Sequence, residues 1–179
     1  MSADKQSLHQ LYSAGEAMKI IVITVLAVVL SGCLSTYQPI PDNYNGNTST
    51  INDSFTNKED TSAHFFLLYK IDDNHVQQSW GKTRMDNYGQ GMRFTPSMVS
   101  REVMSKKQKL TLKGLVFFPT DAQLLFGDDM SIIKEFIFTP EAGETYTVRG
   151  KLSESGSSVW LENSAGEIVE GSLGKIVNK

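Results

Sequence analysis

The chain holds one cysteine, Cys33, and three histidines, His9, His64 and His75, and these are the side chains whose chemistry is decided most sharply by their neighbours. A thiol can serve as a nucleophile, a metal ligand or an acceptor of a covalent group. Cys33 directly follows Leu30-Ser31-Gly32 and has no second cysteine for a disulfide or a C-x-x-C pair. His64 and His75 fit no H-x-x-x-H spacing, so no zinc site is expected. No serine sits in a G-x-S-x-G elbow; Ser153-Glu154-Ser155-Gly156 reads as a turn instead. Gly89-Gln90-Gly91 lacks the third glycine and the following helix of a dinucleotide site. The Asp72-Asp73-Asn74 loop lacks the spaced oxygens of a dedicated calcium site. Carboxylates are plentiful, but pairing of the glycoside-hydrolase kind depends on separation in space, which sequence does not display. No catalytic residue, metal or resident cofactor is expected.

Charge carries more information. Eight basic residues, Lys82, Arg84, Arg93, Arg101, Lys106, Lys107, Lys109 and Lys113, stand against Asp86 and Glu102 alone between positions 82 and 113, a local charge of +6. From Asp121 to Glu170 ten acidic residues stand against Lys134, Arg149 and Lys151, giving -7. Two readings compete: the halves neutralise each other across neighbouring strands, or the basic segment forms a face for anionic headgroups, peptidoglycan carboxylates or an acidic protein. The overall charge of -3 argues against a nucleic-acid partner. Trp160, between Val159 and Leu161, is expected in the core or at a strand edge; Trp80, in a polar stretch, is expected to pack.

These groups need elements to position them, and the N-terminal elements come first. Met18-Lys19 precedes the apolar block Ile20 to Leu30, interrupted only by Thr24. Spanning a bilayer takes about 20 apolar residues, whereas a secretory leader needs roughly 7 to 15. Residues 18–32 therefore read as a signal helix. Asp4 and Glu16 do not suit a leader's charged start, so residues 1–17 are expected to be a dispensable extension, with Met18 the better start.

Leu30-Ser31-Gly32-Cys33 resembles the lipobox of bacterial outer-membrane lipoproteins. The resemblance implies that the Cys33 thiol takes a diacylglycerol, that the chain is cut before it, and that the new amine is acylated. The covalent lipid would be the only added group. Several acyl chains, at about 0.8 kcal/mol per buried CH₂, anchor a protein stably. Leu34 in place of aspartate implies, by likeness to enterobacterial lipoproteins, transport to the periplasmic face of the outer membrane.

Composition, 40 % apolar and 21 % charged over 179 residues, suits one globular domain. Residues 33–62 are expected to be the lipidated cysteine and a flexible tether, since Leu34 to Ser62 is rich in Asn, Thr, Ser, Pro and Asp. Such a coil would span about 30 Å. Within it Asn47-Thr48-Ser49 and Asn52-Asp53-Ser54 match the glycosylation pattern by chance.

Past Ser62, short apolar or alternating runs are bounded by turn residues, and residues 63–173 read as the folded domain, with 174–179 as a tail. Strands are expected at Ala63 to Ile71, Lys109 to Phe118, Ile132 to Phe138 and Thr145 to Leu152. A terminal hairpin is expected from Val159 to Glu162 and Glu167 to Glu170, with weaker strands at Met92 to Phe94 and Val99 to Val103. Asp121 to Phe126 suits a single helical turn. The pattern predicts an all-β fold: an antiparallel sandwich of immunoglobulin-like or transthyretin-like type with about seven strands, a small closed barrel being the rival.

The run Phe138-Thr139-Pro140-Glu141-Ala142-Gly143-Glu144-Thr145-Tyr146-Thr147-Val148-Arg149-Gly150, with Ser158 to Glu162 after it and Tyr69 to Asp72 before it, resembles uncharacterised proteobacterial lipoproteins with small β-sandwich domains. The resemblance implies fold and no catalytic residues. The resulting expectation is an envelope lipoprotein held to the membrane through Cys33, acting as a non-catalytic binding or accessory module for an envelope protein or peptidoglycan. The alternatives are a periplasmic enzyme acting on cell-wall carbohydrate and an accessory lipoprotein of a secretion apparatus.

Overall fold

Alternation of apolar and polar side chains turns most of the chain into strands, because a strand sends successive side chains to opposite faces. The computed structural model describes residues 37–126 and 130–177. The extension 1–17, the signal segment 18–32 and Cys33 lie outside the described residues. In chain order the elements are β1 (Thr48–Asn52), β2 (Ser54–Thr56), β3 (Ala63–Ile71), β4 (Asn74–His75), α1 (Ser79–Asp86), β5 (Ser100–Met104), β6 (Gln108–Phe117), α2 (Asp121–Phe126), β7 (Ser131–Phe138), β8 (Thr145–Lys151), β9 (Ser157–Glu162) and β10 (Gly174–Ile176).

They form two sheets, one in the order β10-β9-β8-β1-β5 and the other in the order β2-β3-β6-β7, with β4 hairpinned onto β3. The all-β, sandwich-like architecture expected from the pattern is present. Several details differ. The described residues contain ten strands rather than about seven. The first sheet is mixed, because β1 lies parallel to β8, with Ile51 opposite Tyr146, and antiparallel to β5, with Ile51 opposite Arg101.

The largest correction concerns the expected tether. Tyr37 already packs against the core, and β1, taken from that polar segment, sits between β8 and β5 inside a sheet. Its polar run hides a strand because Thr48, Thr50 and Asn52 face outward while Ser49 and Ile51 are buried, and every second residue suffices for a one-sided strand. The expected tail is corrected as well, since β10 pairs with β9 through Gly174 opposite Val159. Glu167 to Glu170 makes only the single bridge Ile168 to Glu162, and Met92 to Phe94 is irregular. The segment after Gln78 forms α1, whose eight residues are too few to show a helical period in sequence.

The space between the sheets is filled by Phe66, Leu68, Leu110, Leu112, Ile132, Val148, Val159 and Leu161, all buried. A second apolar cluster, Ala63, Phe65, Leu67, Phe94 and Phe117, lies on the other side of β3 and β6, against Trp80 and Met98. The near-continuous run Phe65-Phe66-Leu67-Leu68 follows from this: β3 is covered on both faces, which requires apolar residues at odd and even positions alike. The β3–β4 turn uses Asp72 and Asp73, both with positive φ (46° and 67°), as a two-residue hairpin requires.

Phe66 sits between two glycines. A Cβ on Gly114, its partner on β6, would lie 3.2 Å from the Phe66 ring, and one on Gly150, in the facing sheet, would lie 2.2 Å from Phe66 Cε1 and 2.5 Å from the Ser158 carbonyl oxygen. The ring therefore occupies the volume that a side chain at position 150 would need. Gly150→Ala should lower stability by about 1–3 kcal/mol, the usual cost of overpacking. Denaturant unfolding checks this, with Phe66→Leu in the Gly150→Ala background restoring part of the loss; an unchanged midpoint for Gly150→Ala would contradict the packing described.

Candidate functional site

The eight basic residues singled out by sequence do not converge on one face. Lys82 and Arg84 lie on α1, where Lys82 pairs with Asp86 at 2.8 Å and Arg84 with Asp121 at 2.6 Å. Arg93 is exposed in the loop after α1, and Lys106 and Lys107 are exposed in the β5–β6 turn. Lys109 and Lys113 face outward on β6, and Arg101 is buried. Only the Arg84–Asp121 pair joins the basic segment to the acidic half by direct contact among the ion pairs of the described residues. Cross-strand neutralisation is thus not the general rule, and Arg101 must be removed from any surface reading.

Arg101 belongs instead to a buried node. It donates from both terminal nitrogens to Asp53, Nη1 to Oδ1 at 2.9 Å and Nη2 to Oδ2 at 2.8 Å, with side chains 7 % and 0 % exposed. Asp53 Oδ1 also accepts from the Leu68 amide at 2.9 Å, and Oδ2 from the Ser79 amide at 3.0 Å and the Ser79 hydroxyl at 2.8 Å. Ser79 Oγ accepts from the Val99 amide at 2.7 Å, and the Asp53 amide donates to the Val99 carbonyl at 3.0 Å. One carboxylate thereby joins the β1–β2 corner, β3, the start of α1 and the entry to β5. The first amides of a helix have no partner within it, and an anion there satisfies them.

Two shallow hollows flank the sandwich. One, of about 230 Å³, is lined by Tyr37, Gln38, Pro39, Val76, Gln77 and Arg101. The other, of about 220 Å³, is lined by Phe138, Thr139, Glu141, Glu144, Tyr146, Asn163 and Val169. It contains two carboxylates, yet Glu144 accepts from the Ser164 amide at 2.9 Å, and hydrogen bonding to Ser164 holds its carboxyl below the usual range. A general acid needs the opposite shift. The Tyr146 hydroxyl, which burial pushes above its ordinary pKa, accepts from the Glu141 amide at 3.0 Å.

The candidates by residue type are likewise engaged. His64 Nδ1 lies 3.2 Å from Asn57 Nδ2, so it accepts and is unprotonated, and burial holds its pKa below the ordinary value. His75 stacks edge-on against Tyr69 at 4.6 Å. Asp72 accepts from the Lys109 amide and Asp73 from the Lys109 ammonium, so the loop weighed for calcium has its carboxylates occupied; Asp73 in turn raises the Lys109 pKa. Among the described residues no group of three or more His, Cys, Asp or Glu could hold a metal, and no helix is long and apolar enough to cross a membrane. Trp80 packs, half-buried, with the Arg84 guanidinium over its ring at 5.2 Å. Trp160 is not in the core: it faces outward opposite Arg149, while Val159 and Leu161 take the buried positions.

What sequence reasoning missed is an outward strip on β6 and β7. Ile133 and Ile137 are 54 % and 58 % exposed, directly opposite Lys113 and Lys109, with the Lys113 ammonium 5.0 Å from the centre of the Tyr69 ring. Alternation in Ser131 to Phe138 contains the signal, since Ile133 and Ile137 fall on the face opposite Ile132 and Phe136. Compared with protein-family models, curated proteins and solved structures, the chain matches none.

Asp53→Asn places an NH₂ group where three donors converge on Oδ2 and leaves Arg101 without a counter-charge. Breaking a buried pair from one side costs about 3–5 kcal/mol, and denaturant unfolding should show a loss of that size. Loss below 1 kcal/mol would mean that the node is not what joins these elements. A second expectation concerns pH. Because His64 binds a proton less readily folded than unfolded, stability should fall as pH drops below about 6.5. His64→Gln should shrink the difference between unfolding midpoints measured at the two sides of that value.

Proposed function

We propose that this protein is a cell-envelope lipoprotein whose β domain is a non-catalytic binding or accessory module, held through Cys33 to the periplasmic face of the outer membrane. The observation that carries this reading is Leu30-Ser31-Gly32-Cys33 at the end of the apolar block. A thioether from Cys33 Sγ to diacylglycerol, with an acyl chain on the freed amine, gives more than one buried chain and so a stable anchor. The non-catalytic part of the reading is supported by the uses to which polar side chains are put. Asp53, Arg101 and Ser79 hold elements together, Glu144 is tied to a backbone amide, and Asp72 and Asp73 are tied to Lys109. Recognition would then fall to the exposed outer surfaces, with an envelope protein or peptidoglycan as partner.

Cys33→Ala should move the protein from the membrane fraction to the soluble periplasm or leave it as an uncut precursor, with the folded domain unchanged. Mass spectrometry of the native N-terminal peptide provides the direct check: a free thiol at Cys33 with residues 18–32 still attached would refute the reading.

A further inference from the structure

We propose that the outer face of β8, β9 and β10 binds a glycan strand whose sugars carry acidic groups, one sugar ring lying on the Trp160 indole and its carboxylate held between Lys151 and Lys175. This rests on the reading of the domain as a binding module and commits that module to a glycan rather than a protein.

The placement follows from register. Lys151 on β8 stands opposite Ser158 on β9, and Ser158 stands opposite Lys175 on β10. In the next outward row Arg149 stands opposite Trp160, and continuing the β9–β10 register past the Gly174–Val159 pair brings Leu173 to the other side of Trp160. These side chains share the outer face, because Val148, Val159 and Gly174, at alternate positions, are buried.

Charge on this face is unbalanced. Lys151 and Lys175 are two strand spacings apart, about 10 Å. Both are exposed, and neither belongs to an ion pair among the described residues. Glu162 is the one acidic residue on the three strands, and it pairs with Arg149 Nε and accepts from Trp160 Nε1, each at 3.5 Å. Beside the strands, Glu154 is engaged in the β8–β9 turn and Glu170 is exposed in the turn before β10.

The indole supplies the second argument. Trp80 packs into an apolar cluster with Arg84 over its ring. Trp160 belongs to neither apolar cluster and to none of the ring–ring or cation–ring contacts of the described residues. A pyranose ring has an apolar C–H face, which suits an aromatic face, and a rim of hydroxyl groups. Around the indole Arg149 and the two lysines donate, Glu162 accepts, and Ser158 does both, which matches hydroxyls that donate and accept. The surplus of cations selects a ring bearing a carboxylate.

A protein partner fits this face less well. The core of a protein interface is rich in apolar and aromatic side chains and poor in charge. The row beyond Trp160 is instead Glu162, Thr147, Asn52 and Ser100, side by side across β9, β8, β1 and β5. That row contains hydroxyl, amide and carboxylate groups and no apolar side chain. From β10 to β5 is four strand spacings, about 19 Å, so consecutive sugars of one strand can lie across the sheet.

The test is co-sedimentation of the purified full chain, in detergent, with peptidoglycan sacculi freed of protein. The wild-type chain should pellet with sacculi, be released by added salt, and be competed off by glycan strands stripped of their stem peptides. Trp160→Ala, and Lys151→Glu combined with Lys175→Glu, should each weaken binding by about tenfold, the loss expected of a central contact. Their circular dichroism spectra should be unchanged, and Ile133→Ala, on the other sheet, should bind as wild type. Competition by free stem peptides alone, or undiminished binding by both the Trp160 and the lysine variants, overturns the site. A photo-crosslinking residue in place of Ser158, used in intact cells, separates this from the broader reading. Capture of an envelope protein there, with no pelleting on sacculi, overturns the glycan and leaves a binding module; neither capture nor pelleting overturns both.

Discussion

The carboxylate of Asp53 is the constraint on which the rest of the structure depends. Five hydrogen bonds from three separate parts of the chain end on its two oxygens, and both members of the ion pair are shielded from water. Such a pair does not by itself guarantee high stability, because removing two charges from water costs much of what their attraction returns. Its effect here is on specificity. The carboxylate holds the β1–β2 corner against β3 while Arg101 reaches it from β5, the strand that pairs with β1. A slip of β1 by one residue would exchange Ser49 and Ile51 for outward positions and separate Asp53 from all of its donors at once.

That corner also explains why one sheet has an additional layer. Asp53 fixes the first turn of α1 through Ser79, and the chain after α1 returns to β5 through Val99, whose amide binds the Ser79 hydroxyl. The segment between is thus closed at both ends by the same node. It lays Trp80, Phe94 and Met98 over Phe65, Leu67 and Phe117, where Phe65 and Phe117 stack at 4.8 Å. This layer covers β3 and one end of β6 but leaves β7 open, and for that reason Ile133 and Ile137 stay exposed although their strand is part of a well-covered sheet.

Legibility in the sequence followed the strength of local pattern. β3, β6, β7 and β8 carry runs of seven or more residues with turn residues at their ends, and each is readable from alternation. β1, β2 and β10 are short and polar, and their strand state comes from partners distant in the chain rather than from propensity. Asp53 was hidden for the same reason: in Asn52-Asp53-Ser54 it looks like a loop residue, and nothing local reveals that Arg101, Leu68 and Ser79 will converge on it. The basic segment misled in the opposite sense. Its residues share a stretch of sequence but are distributed among a helix, the interior, a turn and a sheet face, because the chain reverses direction between them.

The inclusion of residues 37–62 in the fold alters the physics of anchoring in the reading proposed above. A flexible tether spanning about 30 Å would let the domain rotate freely and sample a large volume, so its surface chemistry would be independent of the membrane. A link of three residues, Leu34 to Thr36, would remove most of that freedom. Whatever contact the domain makes with headgroups then acts as an intramolecular interaction at high effective concentration, and even a weak patch suffices to select an orientation.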